Sequence, residues 1–267
     1  MNVVTGGTGF IDSCLAKMIL DEGLDVATFD IKPTSPVLEP YGSRWRHFRG
    51  DLRDMSEVMT VIKESQPDVI YHLGGMLSTP SEENPQASFM TNVVGMFNVL
   101  ESARLLGIDM VVYASTNGTF GLDLEGLTVI GDRTLQRPFT MYGCGKLFGE
   151  LLGRYYHRKY GIDFRSVRLP AVVEPGAKTK NVSVYNAWAI EKSFFGEPYQ
   201  IFVTPETRAP IIYFKDAARA FQKMHQGVRW DETSAVREWN WQVKFNLDDM
   251  VEDFMHELTD HRSWYIE

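Results

Sequence analysis

A phenol and an ammonium stand one helical turn apart in the segment Tyr142-Gly143-Cys144-Gly145-Lys146, a spacing that puts both on one face of a helix. A free phenol ionises near pH ~10 and is a poor base at neutral pH; lowering it by ~3 units takes roughly 4 kcal/mol. A neighbouring cation is one source of that stabilisation, so Lys146 is expected to activate Tyr142. A substrate oxygen that gives up its proton also needs a hydroxyl donor. Ser115-Thr116, at the end of the hydrophobic run Met110–Ser115, supplies one where parallel sheets keep their chemistry, at the carboxyl ends of strands. Thr116, Tyr142 and Lys146 are the candidate catalytic residues.

A second constellation lies at the N-terminus. Gly6-Gly7-Thr8-Gly9 falls between an apolar run, Asn2–Thr5, and a stretch of helical spacing from Phe10 to Leu20. That is the context in which glycines let main-chain N–H groups approach a dinucleotide pyrophosphate. Asp30, some twenty residues further, ends the next strand, where a carboxylate accepts the ribose hydroxyls and repels a 2′-phosphate; this favours NAD over NADP. Lys146 is then placed to donate to the nicotinamide ribose. The third small position of the fingerprint holds Asp12. Facing the phosphates at ~6–8 Å and an effective dielectric of ~20, its charge would repel the pyrophosphate by about 2–3 kcal/mol before salt screening; turned away, it would cap an N–H of the helix.

The elements that must carry these residues follow from periodicity. Strands are expected at 25–30, 46–51, 68–73, 110–115 and 164–169, and helices at 55–64, 86–106 and 142–160. Strands alternating with helices through short joints make βαβ units. The expected fold is α/β, a Rossmann-type doubly wound parallel sheet with a small, trimmed C-terminal substrate lobe. Residues 1–180 would form the dinucleotide domain with the Tyr/Lys helix, and 181–267 the lobe and returning C-terminal elements. Trp239, Trp241 and Phe245 read as packing residues.

The bulk composition narrows the function. The 267 residues are 44% hydrophobic and 23% charged, with a net charge of −8. No basic stripe supports nucleic-acid binding. No segment is long and apolar enough for a membrane span, and no leader is expected. Two cysteines, Cys14 and Cys144, lack framework spacing, which fits a reducing, cytoplasmic setting. The six histidines lack ligand spacing, so no metal site is expected.

TGGTGFI at 5–11, Asp51-Leu52, HLGG at 72–75, Asn92, STNGTFG at 115–121 and YGCGK at 142–146 together resemble the extended short-chain dehydrogenase/reductase, or NAD-dependent epimerase/dehydratase, family, over most of the chain. The resemblance implies that Gly6, Gly9, Phe10 and Ile11 hold the pyrophosphate, Asp30 the adenosine ribose, and Asp51 and Leu52 the adenine. Leu73, Gly74 and Gly75 would pass along the cofactor, Asn92 and Leu169 would complete its site, and Ser115 would lie beside the nicotinamide. It also implies a homodimer through the 86–106 and 142–160 helices.

Within that family, RPFTMYGCGK (137–146), HLGGMLS (72–78), RSVRLP (165–170), PIIYFKDA (210–217) and DETSAVREWNW (231–241) are similar to segments of the short-chain L-threonine 3-dehydrogenases. That likeness would put Ser78, Thr116 and Tyr142 around a small 2-amino-3-hydroxy acid oxidised by hydride transfer to NAD+. Val182-Ser183-Val184-Tyr185 departs from the usual Thr-Thr-Asp-Tyr, leaving Ser183 to replace one hydroxyl, and little remains between His225 and Asp231 of the lobe's usual strand–helix unit. PETR at 205–208 is similar to sugar-acid dehydrogenases, and Arg208 could pair with a substrate carboxylate or phosphate. A hydroxy- or sugar-acid dehydrogenase, a sugar-nucleotide epimerase or dehydratase, and a non-catalytic NAD sensor are the alternatives.

Overall fold

Side-chain alternation builds a sheet covered on both faces. The computed structural model describes residues 1–122, 130–176, 185–225 and 243–265. Six parallel strands, β1 (Asn2–Thr5), β2 (Val26–Asp30), β3 (Trp45–Arg49), β4 (Val69–His72), β5 (Met110–Thr116) and β6 (Asp163–Leu169), lie in the order β3-β2-β1-β4-β5-β6. Val3 pairs with Ala27 and Ile70, and Tyr113 with His72 and Ser166. Successive strand residues point to opposite faces: Val3, Ile70, Val111 and Tyr113 enter one core, and Val4, Tyr71, Val112 and Ala114 the other. Each fully buried Val, Leu or Ile contributes roughly 1.5–3 kcal/mol, which fixes the register on both faces. The strand order reverses beside β1, between β1 and β4, the place where such sheets open a crevice.

Helices α1 (Phe10–Asp21), α2 (Met55–Ser65), α3 (Ser78–Glu83), α4 (Pro85–Ser88), α5 (Gly95–Leu106) and α6 (Met141–Tyr160) follow the strands. Asp54 caps α2 by accepting from the N–H groups of Ser56 and Glu57, and Thr140 caps α6 by accepting from the Gly143 N–H at 3.0 Å. The single helix expected over 86–106 is interrupted. Residues Phe89–Val94 wind as a wider π turn between α4 and α5. Asn92 lies in that turn and reaches across to the main chain of Met76, accepting its N–H at 2.7 Å and donating to its carbonyl at 2.9 Å. Apolar periodicity cannot register such a local widening.

After β6 the chain adds β7 (Ala171–Val173), which pairs in parallel with β8 (Ile211–Tyr213). Helices α7 (Tyr185–Phe194), α8 (Phe214–His225) and α9 (Leu247–Asp260), with a short final helix Arg262–Tyr265, complete the described chain. Val173, Ala187, Tyr213, Phe214, Met250, Phe254 and Leu258 make a third core. Helix α8 starts in that core and returns to the main sheet, where Ala217, Ala218 and Phe221 pack with Leu15, Ala16 and Ile19. Phe245 packs on the third core, 5.0 Å from Tyr213 between ring centroids. Ser183, Trp239, Trp241, the 231–241 segment and the stretch between His225 and Asp231 lie outside the described residues. None of the described helices is long and apolar enough to cross a membrane.

Candidate active site

One cleft of about 1620 Å³ runs across the carboxyl ends of the strands. At one end lies the glycine turn. Gly6 has φ +75, a left-handed backbone that disfavours side chains, and a Cβ there would come within 2.6 Å of the Gly74 Cα. The loops after β1 and β4 therefore touch through main chain, tied by a hydrogen bond from the Gly74 N–H to the Thr5 carbonyl at 2.9 Å. Asp30 closes this end. Its Oδ2 accepts from the Thr8 hydroxyl at 2.7 Å and the Thr8 N–H at 3.2 Å, and its Oδ1 from the Lys32 N–H at 3.1 Å. The carboxylate thus shapes the turn it was expected to serve only as a ribose acceptor.

Asp12 turns back into the cradle. Its Oδ2 fills the space that a Cβ on Gly9 would need, and its Oδ1 stands 3.0 Å from the corresponding point on Gly6. The residue is partly exposed as a whole, yet Oδ1 is sealed from solvent with no hydrogen-bond partner. Burial pushes its carboxyl up to about 8, against the pull of its own N–H; Asp30 adds to the rise, while Lys146 and Lys32 oppose it. The repulsion expected from the sequence needs an ionised carboxylate, which burial disfavours.

At the other end, Thr116, Tyr142 and Lys146 all line the cleft. Thr116 Oγ1 accepts from the Gly118 N–H at 3.1 Å and caps a short 3-10 turn. Lys146 is buried, donates to the Ala114 carbonyl at 2.8 Å and lies 5.7 Å from the centroid of the Tyr142 ring. Burial pushes Lys146 down to about 8, with Asp12 pulling it up. Burial also pushes the Tyr142 phenol up to about 12. Desolvation thus opposes the activation expected from Lys146, whose ammonium is also hydrogen-bonded to a carbonyl.

Ser115 lines the cleft, but its hydroxyl donates to Glu150, a buried carboxylate on α6. Arg168 on β6 grips Glu150 through Nη2 at 2.7 Å and Nε at 3.0 Å, and Gln136 donates to it at 3.2 Å. The Ser115 side chain thereby joins β5, β6 and α6. Phe10, Ile11, Asp51, Leu52, Leu73, Gly74, Gly75, Ser78 and Leu169 line the cleft as expected residues. Asn92 stands behind it, bracing Met76. Arg208 is exposed and stays out of the cleft, although Ala209 and Pro210 line it.

Two acids were missed by sequence reasoning. Glu150 is eight residues beyond Tyr142, two helical turns along the same helix, and that spacing was its only signal. Glu174 follows β7 and lines the cleft; burial pushes it up to about 8, and Asp12 adds to the rise. A carboxylate just before Pro175-Gly176, at the end of an apolar run, could have marked it. Among the described residues no group of three or more His, Cys, Asp or Glu is placed to hold a metal ion.

A six-stranded parallel sheet in this order, with a glycine cradle at its first turn and a Tyr/Lys helix across the crevice, defines a dinucleotide-binding oxidoreductase fold. Residues 2–236 match the NAD dependent epimerase/dehydratase family, and the chain belongs to it. A GalE-like L-threonine dehydrogenase from Cupriavidus necator, solved in its holo form, is 30% identical, with a TM-score of 0.76 over 85% of this chain and 73% of that one. A Thermus thermophilus UDP-glucose 4-epimerase, solved with NAD, is also 30% identical, with a TM-score of 0.72 over 82% and 73%. An uncharacterised epimerase/dehydratase of Staphylococcus haemolyticus is 32% identical over 179 residues, 65% of this chain and 54% of its own. The chain spans about half the length of the curated relatives it matches.

Proposed function

We propose that the protein is an NAD-dependent dehydrogenase that oxidises the secondary alcohol of a small 2-amino-3-hydroxy acid such as L-threonine. The observation that carries this reading is the convergence of Thr116, Tyr142 and Lys146 on the cleft whose other end is the Gly6–Gly9 cradle. The residues fit a dinucleotide there: Gly6 and Gly74 leave main-chain space that a Cβ would fill, and Asp30, Asp51 and Leu52 line its far end. Bound NAD+ would supply the hydride acceptor and a positive charge. Tyr142 Oη, as the phenolate that the Lys146 ammonium stabilises, takes the hydroxyl proton of the substrate and becomes the neutral phenol, while Thr116 Oγ1 holds the substrate oxygen. Bringing a phenol from about 12 to neutral pH requires roughly 7 kcal/mol, so turnover depends on positive charge beyond Lys146.

The C-terminal elements favour a small substrate. The cation that α8 brings to the cleft, Lys215, is already held by Asp253 and Glu257, each at 2.6 Å, and so is poorly disposed to a sugar-linked diphosphate. The alternative, a sugar-nucleotide epimerase, draws support from the likeness to the Thermus enzyme and uses the same tyrosine. A panel of L-threonine, hydroxy acids, sugar acids and UDP-sugars with NAD+, followed at the reduced-nicotinamide absorbance and by product analysis, decides among them. L-Threonine-dependent reduction of NAD+ is expected. Epimerised UDP-sugar would replace this reading, and NAD binding with no turnover on any of these would point to a sensor.

The same reading extends to assembly. Phe89, Met90, Phe97 and Leu105 on the 89–106 segment, with Phe148 and Leu151 on α6, are exposed apolar side chains on elements that touch each other. A second copy of the chain would cover them as a four-helix interface. Light scattering is expected to give twice the chain mass of 30.5 kDa; a monomer at micromolar concentration would remove this part of the proposal.

A further inference from the structure

Asp12, in the first turn of α1, has no part in the proposed reaction. Its carboxyl is folded into the cradle, against the site of a Gly9 Cβ, and its Oδ1 is buried without a partner. An oxygen buried in this way is costly unless a ligand or a proton satisfies it. Glu174 lines the same cleft from the end of β7. We propose that Asp12 makes cofactor affinity proton-dependent: the neutral carboxyl donates a hydrogen bond to the pyrophosphate, the carboxylate repels it, and the dinucleotide therefore binds together with a proton once Asp12 is ionised. The inference rests on the reading of the cradle as an NAD site.

The groups facing Asp12 set the range. Burial is the main influence and places its ionisation near 8; Asp30, from the end of β2, raises it further. Lys146 of α6 and Lys32, just beyond β2, lower it, and Glu174 shares a mutual repulsion with it. Lys215 and Arg219 of α8, with Lys17 and Glu257, bear instead on Cys14, further along α1. A bound pyrophosphate adds negative charge and raises the Asp12 carboxyl again. The sign follows from linkage. Below the ionisation of the unliganded protein Asp12 is protonated in both states, and affinity does not depend on it. Above that point binding takes up a proton, and each further pH unit weakens affinity up to tenfold. Lys146 loses its proton in the same range, so the slope alone cannot identify the group, whereas the difference between parent and variant can.

Titration calorimetry with NAD+ near pH 7 and near pH 9, in buffers of different protonation enthalpy, tests this on the whole chain. The parent is expected to bind about tenfold more weakly near pH 9 than near pH 7 and to take up close to one proton more than Asp12→Asn. Asp12→Asn, a neutral isostere, should match the parent near pH 7 and lose most of the decline. Asp12→Gly, which removes the carboxyl altogether, should lose it too and guards against a misfolded first variant. Equal proton uptake and equal slopes in parent and both variants would assign the effect to Lys146 or Glu174 and overturn the inference. Absence of NAD+ binding by all three proteins near pH 7 would overturn the NAD reading itself, and this inference with it.

Discussion

The two ends of the cleft are built on opposite principles. At the glycine end, position is set by main chain: Gly6 and Gly74 approach so closely that neither tolerates a Cβ, Asp30 and Thr8 are hydrogen-bonded to each other, and the Asp12 carboxyl is folded against Gly9. At the catalytic end, position is set by buried polar side chains. Lys146 is held on the Ala114 carbonyl, and the Ser115–Glu150–Arg168 network joins the strand carrying Thr116 to the helix carrying Tyr142. The first design resists any added atom; the second resists any lost polar group. One cleft can thus keep a rigid anchor while its chemistry is tuned by charge and burial.

The sharpest break between the two ends is expected from Tyr142→Phe. It removes the proton acceptor and nothing from the cradle, so kcat should fall by about 10²–10⁴ while NAD+ affinity, read by calorimetry, stays within about twofold. Near-normal turnover would assign the proton to another group. Glu150→Ala comes next. It leaves Arg168, whose side chain is only 20% exposed, without its buried partner, a loss of roughly 3–5 kcal/mol visible in urea melts. Because the same change unties Ser115, kcat should fall in the folded fraction and KM for NAD+ should hold. Unchanged stability would mean that Asp132, 3.8 Å from Arg168, suffices as its partner.

Gly6→Ala tests the other end. Its φ of +75 and the 2.6 Å approach to Gly74 combine left-handed strain with a main-chain clash. A stability loss of about 1–3 kcal/mol should be accompanied by loss of NAD+ binding. A variant that folded and bound normally would show that the two loops separate easily, and would remove the contrast drawn above.

These expectations differ in how visible they were in the sequence. The sheet was legible because its strands are short apolar runs buried on both faces: Val3 and Val4, like Ile70 and Tyr71, enter opposite cores. Gly6, Asp30, Tyr142 and Lys146 were legible because their spacing maps onto one strand–turn–helix or one helical turn. Desolvation was not. The rise of the Tyr142 phenol and of the Asp12 carboxyl depends on what surrounds each atom in space, which no local pattern encodes. The π turn around Asn92 and the Glu150–Arg168 pairing were hidden for related reasons: one is a local winding, and the other joins residues eighteen positions apart. Arg208 shows the reverse. Its type and neighbours suggested an anion contact, but its place on the chain leaves it facing solvent.

The smallest effect, and the finest test of the anchor, belongs to Asp30→Ala. Asp30 has two duties in the structure. It holds the Thr8 hydroxyl and N–H, and it lines the cleft at the far side of the cradle, where a carboxylate would repel a 2′-phosphate. The two duties predict different losses. Release of Thr8 should loosen the turn for NAD+ and NADP+ alike and weaken both, by about 1 kcal/mol for the hydrogen bonds lost. Removal of the charge should help NADP+ alone, by roughly 1–2 kcal/mol after solvent screening. The net expectation is that NAD+ affinity falls several-fold, NADP+ affinity changes little, and the preference for NAD+ narrows about tenfold. Asp30→Asn separates the terms, because it keeps an acceptor for Thr8 and drops only the charge: NAD+ binding should hold and NADP+ binding should improve. If discrimination between the cofactors survives both changes, it does not reside in Asp30, and the cradle end of the cleft must select its ligand through main chain alone.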